Sequence, residues 1–139
     1  QHESNGKCDG DSRSMNYIYL QPNITLGDRR ELFFSFGPRG LIYIGDLGDN
    51  PDIEEFRGNI EFHTVLGQGG GVQLAGIGRV GNDWERGSVQ LDLSFPIRKL
   101  TGNSFDIYLH GQYFKGFGET LIDYDQSTEA FRLGISIVR

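Results

Sequence analysis

The first residues of the chain place a candidate base beside a hydroxyl. His2 and Ser4 are two positions apart, so on a β-strand their side chains project from the same face. A serine hydroxyl is too weakly acidic to attack an ester at neutral pH, and acyl-transfer chemistry therefore needs an adjacent imidazole that takes its proton. Ser4 could therefore act as a nucleophile and His2 as its general base.

A third group must hold the imidazole ring, and Asn16 is the candidate. If the connection 6–14 closes a hairpin, the residues opposite Ser4 and His2 lie near positions 16 and 18, and Asn16 shares their face. Its side-chain oxygen can accept the imidazole N–H and fix the tautomer, as the third member does in Cys-His-Asn sites. An ordinary polar strand end has the same composition, so these residues alone leave both interpretations open.

Two polar segments offer ligands for a hard cation. Segments 6–14 and 46–52 are rich in Asp, Asn, Ser and Gly. Carboxylates, hydroxyls and carbonyl oxygens suit calcium, although Asp, Asn and Gly are also ordinary loop formers. Neither segment has the spacing of an EF-hand, so a calcium site would have to be assembled from two loops.

The elements that must position these residues are β-strands. Apolar and polar residues alternate with a period of two along most of the chain, for example over 88–95, and no convincing stretch has the helical period of 3.6. The sequence therefore predicts an all-β chain folded as an antiparallel meander. Its eight predicted segments are 1–5, 15–24, 30–45, 57–67, 71–81, 86–97, 103–116 and 127–139.

The connections between these segments alternate in length. The long, polar ones are 6–14, 46–56 and 117–126, and the short ones are 25–29, 68–70 and 98–102. Every second connection of a meander lies on the same side, so the three long loops share one rim, with 82–85 as a short link among them. Long loops on one rim and short turns on the other are typical of outer-membrane barrels.

Composition narrows the class of protein. The length of 139 residues predicts one domain, 1–139, and 13 Lys+Arg against 19 Asp+Glu give a net charge of −6. No basic run could follow a phosphate backbone, so no nucleic-acid partner is expected. The single cysteine, Cys8, excludes an internal disulfide. No run approaches the roughly 18 apolar residues of a spanning helix, which excludes a helical membrane protein and leaves a β-barrel open.

Alternation alone does not separate a soluble barrel from a membrane barrel, because the apolar face can point inward or outward. The polar face favours the membrane form, since its side chains fit a water-filled interior. These side chains belong to Glu61, His63, Arg79, Gln90, Asp92, Asp106, His110, Gln112 and Arg132. The sequence therefore predicts a transmembrane β-barrel.

Five blocks of the sequence then point to one family. The chain has HESNGK at 2–7 and SRSMN at 12–16, followed in order by DNPD at 49–52, SFPI at 94–97 and GFGETLIDY at 116–124. In type, order and spacing these blocks resemble the outer-membrane phospholipase A family, whose active-site segment has a His-x-Ser-Asn-Gly run and a Ser-Arg-Ser-x-Asn run. The resemblance extends through almost the whole chain.

The resemblance implies an enzyme of the bacterial outer membrane. Such an enzyme is a twelve-stranded barrel that hydrolyses acyl ester bonds of phospholipids and lysophospholipids, requires Ca²⁺ and is activated as a homodimer. Ser4 matches the family's nucleophile, His2 its general base and Asn16 the residue that orients the base. Gly6 matches the position whose backbone N–H contributes to the oxyanion hole.

The resemblance also implies calcium ligands. Lys7 stands where the family usually has Arg, but that position offers a backbone carbonyl, so the change should matter little. Ser12 matches a hydroxyl ligand of the same ion, and Asp9 and Asp49 match the carboxylates of a second calcium position. Met15 replaces a usual Trp and weakens an aromatic contact without touching the chemistry.

The sequence departs from the family pattern in two respects. Its eight segments match the second part of the family barrel, and about four strands, a leader and a calcium ligand supplied across the dimer have no counterpart here. Eight strands could close a small barrel, but we expect a fragment of a longer protein. The last residues, 137–139, also lack the terminal aromatic that outer-membrane barrels commonly carry. The missing strands and the polar face motivate a competing hypothesis, a non-enzymatic outer-membrane barrel that is either a pore or an inactive relative.

Overall fold

The computed structural model describes residues 1–6, 12–45, 47–97 and 107–137. Within these ranges the chain forms nine strands and one short helix. The elements in chain order are β1 (His2–Ser4), β2 (Ser14–Leu20), β3 (Ile24–Gly27), β4 (Phe33–Ile44), α1 (Ile53–Arg57), β5 (Ile60–Gly67), β6 (Gln73–Val80), β7 (Gly87–Pro96), β8 (Tyr108–Gly116) and β9 (Thr128–Ser136). The predicted all-β character is confirmed.

The strands form one antiparallel sheet. Its order is β1-β2-β4-β5-β6-β7-β8-β9, with β3 paired to β4 beside β2. Each pair on this path is antiparallel and, apart from β2 and β4, which flank β3 in sequence, joins consecutive strands. The predicted meander is confirmed, and the connections that follow β1, β4, β6 and β8 lie on one rim.

The prediction of one strand over 15–24 followed by a connection at 25–29 was wrong. β2 ends at Leu20 and β3 begins at Ile24, and both pair with β4, so together they occupy one position in the sheet. Pro22 lies in the gap and has no backbone N–H to donate to the ladder, which explains why pairing stops there. Counting β2 and β3 as one position gives the eight positions that the pattern predicts.

The prediction that no segment is helical was also wrong, because α1 lies within the connection 46–56. Ile53 is fully buried and Phe56 is nearly so, three residues further on. They pack against Met15, Tyr17, Leu41 and Tyr124. Gly58, at φ 67°, caps the helix, and a Cβ there would lie 1.7 Å from the Val80 carbonyl oxygen. Helices long and apolar enough to span a bilayer are absent from the described residues.

The two faces of the sheet differ in chemistry. The outward face is apolar and exposed, with Leu20, Ile42 and Leu133 each more than 60% accessible. The inward face is polar: Glu61 is 3% exposed and accepts hydrogen bonds from Arg39 (3.1 Å) and Arg79 (2.8 Å). Further charge-assisted contacts on this face join His63 to Glu61, and Gln90, Gln112 and His110 to Asp92. Of the predicted interior residues, Asp106 lies outside the described ranges.

Candidate active site

The β1–β2 hairpin brings the first predicted residues together. His2 pairs with Asn16, and Ser4 pairs with Ser14. The register predicted from the sequence, with Ser4 near 16 and His2 near 18, was therefore wrong by two residues. The backbone N–H of Asn5 still donates to the carbonyl of Arg13 at 3.1 Å, so pairing continues towards a tighter turn than the prediction assumed.

The histidine ring is held by the asparagine side chain. His2 Nδ1 lies 2.9 Å from Asn16 Oδ1. An amide oxygen can only accept a hydrogen bond, so Nδ1 carries the proton and Nε2 carries the lone pair. This tautomer leaves Nε2 free to act as a base.

The serine hydroxyl lies beside a backbone donor. The N–H of Gly6 donates to Ser4 Oγ at 3.1 Å. Gly6 adopts φ 71°, in the left-handed region, whereas a Cβ at this position would meet no atom of the described residues within 4 Å. Backbone conformation, not crowding, is therefore what favours glycine here. The turn aims an N–H at the oxygen that would react.

The three side chains lie on the apolar outer face of the sheet. His2, Ser4 and Asn16 are all exposed. Along the same face, β2 continues with Ile18 and Leu20, and Ile18 pairs with Ile42 of β4. A molecule with an acyl chain lying against this face would have direct access to Ser4.

Beneath the site, on the inner face, lies a charged contact that sequence reasoning missed. Glu3 accepts a hydrogen bond from the Tyr17 hydroxyl at 2.5 Å and one from Arg57 Nη1 at 2.8 Å. Burial works against the charge of Arg57, but the hydrogen bond and charge of Glu3 outweigh it and raise the pKa of the guanidinium. The sequence did contain one signal of this contact: Glu3 falls at an inward-facing position, where a carboxylate requires a cationic partner.

Of the four predicted calcium ligands, two can be described. Ser12 precedes β2 and Asp49 lies exposed in the loop before α1, on the same rim; Lys7 and Asp9 lie outside the described residues. In the part of the chain that the structure describes, no three His, Cys, Asp or Glu side chains are grouped closely enough to hold a metal. A hydroxyl, carboxylates and a backbone carbonyl are nevertheless the hard oxygen donors that calcium prefers.

A buried amide connects this loop to the site. Asn50 has no exposed surface and its Nδ2 donates to the Ser14 carbonyl at 2.9 Å. Among the described residues its Oδ1 has no hydrogen-bond partner, and this oxygen belongs to the residue that follows Asp49. The oxygen donors on this rim are therefore of the chemical type that binds calcium.

The segments 49–52 and 116–124 pack against each other. The Tyr124 hydroxyl donates to Asp52, and the ring of Phe56 lies 5.6 Å from that of Tyr124 and 5.5 Å from that of Phe117, between centroids. Burial first, and then the hydrogen bond to Asp52, raise the pKa of Tyr124 to about 12. The two loops form a single structure beside the hairpin.

A family model described as Phospholipase A1 matches residues 1–137. The chain belongs to the phospholipase A1 family. It is 29% identical to Phospholipase A1 of Escherichia coli (strain K12) over 136 residues, which cover 98% of this chain and 43% of that protein. It is 28% identical to Phospholipase A1 of Salmonella typhimurium over the same length and with the same coverage.

Solved structures of this phospholipase family show the same fold. Outer membrane phospholipase A from Escherichia coli matches with a TM-score of 0.82 and 28% identity, over 96% of this chain and 51% of that one. The Salmonella typhi outer membrane phospholipase dimer with bound calcium matches with a TM-score of 0.79 and 27% identity, over 96% and 48%. The chain therefore has the fold of about eight strands of the outer membrane phospholipase A β-barrel and spans about half the length of the phospholipases that it matches.

Proposed function

We propose that the protein hydrolyses acyl ester bonds of phospholipids and lysophospholipids in the bacterial outer membrane. Ser4 is the nucleophile, His2 the general base and Asn16 the residue that orients the base. The observation that carries this proposal is the 2.9 Å contact between His2 Nδ1 and Asn16 Oδ1, on the face from which Ser4 projects. Membership of the phospholipase A1 family supports it.

The reaction follows from the protonation state of the imidazole. Ser4 Oγ attacks the ester carbonyl carbon while His2 Nε2 takes the hydroxyl proton, and Nε2 then gives that proton to the departing glycerol oxygen. A water molecule, deprotonated in the same way, attacks the resulting acyl-serine ester and releases the fatty acid. Asn16 Oδ1 keeps the Nδ1 proton in place, so Nε2 is always the nitrogen that exchanges protons.

The oxyanion of each tetrahedral intermediate needs hydrogen-bond donors or a cation. The Gly6 N–H is close enough to Ser4 Oγ to turn towards the neighbouring oxyanion. In this proposal the Lys7 carbonyl and the Ser12 hydroxyl would hold one Ca²⁺ ion, and the Asp9 and Asp49 carboxylates would hold a second. A bound Ca²⁺ supplies positive charge that stabilises the oxyanion.

The exposed apolar face is suited to binding a substrate that stays in the bilayer. Ile18, Leu20 and Ile42 continue the surface on which Ser4 lies, so an acyl chain packed against them would bring its ester to the hydroxyl. We also propose that a homodimer is the active form, as the likeness to a dimeric phospholipase with bound calcium suggests.

Fatty-acid release from mixed micelles by the intact protein tests this proposal. Ser4→Ala and His2→Ala should each lower kcat by at least about 10³-fold. Ser35→Ala and His110→Ala are matched controls, because Ser35 bonds Thr25 on a neighbouring strand and His110 faces Asp92 in the interior. These controls should retain activity, and equal release by the Ser4 and Ser35 variants would refute the assignment.

Labelling by a serine-reactive fluorophosphonate separates this proposal from a non-enzymatic barrel. The wild-type protein should be labelled at Ser4 and the Ser4→Ala variant should not. Conductance across liposomes without labelling or fatty-acid release would favour the pore.

A further inference from the structure

A carboxylate lies directly beneath the candidate catalytic residues. Glu3 is the residue between His2 and Ser4 on β1, and it projects from the opposite, inner face. Its Oε1 accepts from the Tyr17 hydroxyl of β2, and its Oε2 accepts from Arg57 at the end of α1. Three elements of the fold meet at this one side chain.

The guanidinium group in this contact is itself enclosed. Arg57 is 12% exposed, and its Nη1 also lies 3.7 Å from Met15 Sδ. The aliphatic part of Arg57 packs against Gly118, where a Cβ would lie 2.6 Å from Arg57 Cγ. Arg57 is therefore held between β2 and the loop after β8 and cannot follow β1 if that strand shifts.

The strand that carries His2 and Ser4 is tied to the rest of the fold through this contact. All three residues of β1 pair with β2 through the backbone. The charge-assisted contact between Glu3 and Arg57, whose side chains are 27% and 12% exposed, adds a side-chain anchor on the inner face of the same strand.

We propose that Glu3 and Arg57 are positioning residues for this site, holding β1 so that His2 stays against Asn16 and Ser4 stays within reach of His2. This inference rests on the proposed function. Neither residue touches the substrate, since both lie on the inner side of the sheet. A shift of about 1 Å in a catalytic group can cost about 10²-fold in rate, so loss of the anchor should lower kcat by about 10–10²-fold.

Kinetics of the intact protein in micelles give the first test. Glu3→Gln and Arg57→Met should each lower kcat by about 10–10²-fold. KM should stay within about twofold of the wild-type value, because the surface that binds the substrate is unchanged. The double variant should be no worse than either single variant, since both remove one interaction. Arg57→Lys, which keeps a charge, should recover part of kcat.

The matched control is another ion pair of the same helix. Glu55 of α1 accepts a hydrogen bond at 2.9 Å from Arg86, which lies in the connection between β6 and β7. Glu55→Gln should leave kcat unchanged. Folded variants are identified by gel migration that changes when the sample is heated. If Arg57→Met fails to fold, the kinetics of Glu3→Gln and Arg57→Lys are compared with those of the wild type instead. A folded Glu3→Gln variant with wild-type kcat, or a double variant whose losses multiply, would overturn the proposal.

Imidazole ¹⁵N spectra provide a readout that does not depend on turnover. The signal of His2, assigned by its loss in His2→Gln, should show a protonated Nδ1 in the wild-type protein and exchange between tautomers in Glu3→Gln. An unchanged His2 signal in folded Glu3→Gln refutes the positioning role, whether or not the protein releases fatty acid. Full activity of Ser4→Ala would instead refute the proposed function, while the His2 spectra would still decide the role of Glu3.

Discussion

The side-chain amide of Asn50 donates to the main-chain carbonyl of Ser14 at 2.9 Å, and this bond joins the loop before α1 to the strand that carries Asn16. Asn50 is completely buried, so no water can replace the amide if it is lost. The calcium-binding candidate Asp49 is therefore attached to the hairpin of the site through its neighbour in sequence.

Replacement of this amide should destabilise the protein. Asn50→Asp removes the donor and places a carboxylate against the Ser14 carbonyl, so we expect a loss of about 1–3 kcal/mol in the free energy of unfolding. Asn23→Asp is the control, because its amide also donates to a backbone carbonyl, that of Gln21, but is exposed. Urea unfolding in micelles measures the free energy of unfolding of both variants. Equal losses would show that the buried hydrogen bond contributes no more to stability than the exposed one.

The ion cluster around Glu61 should also be required for stability. Glu61→Gln leaves Arg39 and Arg79 without their carboxylate in the barrel interior, and breaking a buried ion pair in this way costs about 3 kcal/mol. Glu129→Gln breaks an exposed pair with Lys115 and should shift thermal unfolding far less. If thermal unfolding shifts equally in the two variants, the cluster does not hold the interior together.

Calcium dependence should involve Asp49. Asp49→Ala should shift the calcium activation curve to at least about tenfold higher concentration without unfolding the protein, because one carboxylate ligand is lost from an exposed loop. Asp28→Ala, in a turn on the opposite rim, should leave the curve unchanged. Superimposable curves for wild type and Asp49→Ala would show that Asp49 is only a turn residue.

The Tyr124–Asp52 contact predicts a pH dependence of stability. The pKa of Tyr124 is about 12 in the folded protein against an ordinary value of 10, so folding favours the protonated hydroxyl. This contribution is complete below pH 10 and is lost as the pH rises to about 12, when the folded state also deprotonates. The stability gap between wild type and Tyr124→Phe should therefore narrow over this range. A constant Tyr124 gap would contradict the prediction.

The sequence was sufficient for the meander of strands, apart from the break between β2 and β3, and for the shared face of the candidate residues, because both follow from a period of two. His2 and Ser4 must share a face on any strand, and Asn16 reaches it as soon as the connection 6–14 closes a hairpin. The register was missed because alternation is preserved when a strand slips by two residues, so only the turn geometry at Asn5 and Arg13 could decide it.

The remaining features were not predictable because they depend on contacts between distant residues or on very short segments. α1 has five residues, which is too few to show a helical period, and Ile53 and Phe56 become helical because the rim offers them a core. Pairing of Glu3 with Arg57 joins positions 54 residues apart, and no local pattern encodes that partner.

The meander order also sets a sequence of events in assembly. Paired strands are consecutive along the chain, or next but one in the case of β2 and β4, so the segments between them are short compared with the chain and close at small entropic cost. The bonds from Arg57 to Glu3 and from Tyr124 to Asp52 close loops of 54 and 72 residues and can form only when the intervening hairpins are in place. A newly made chain therefore contains Ser4 before the contact beneath that residue can form, so the proposed site is completed late in folding.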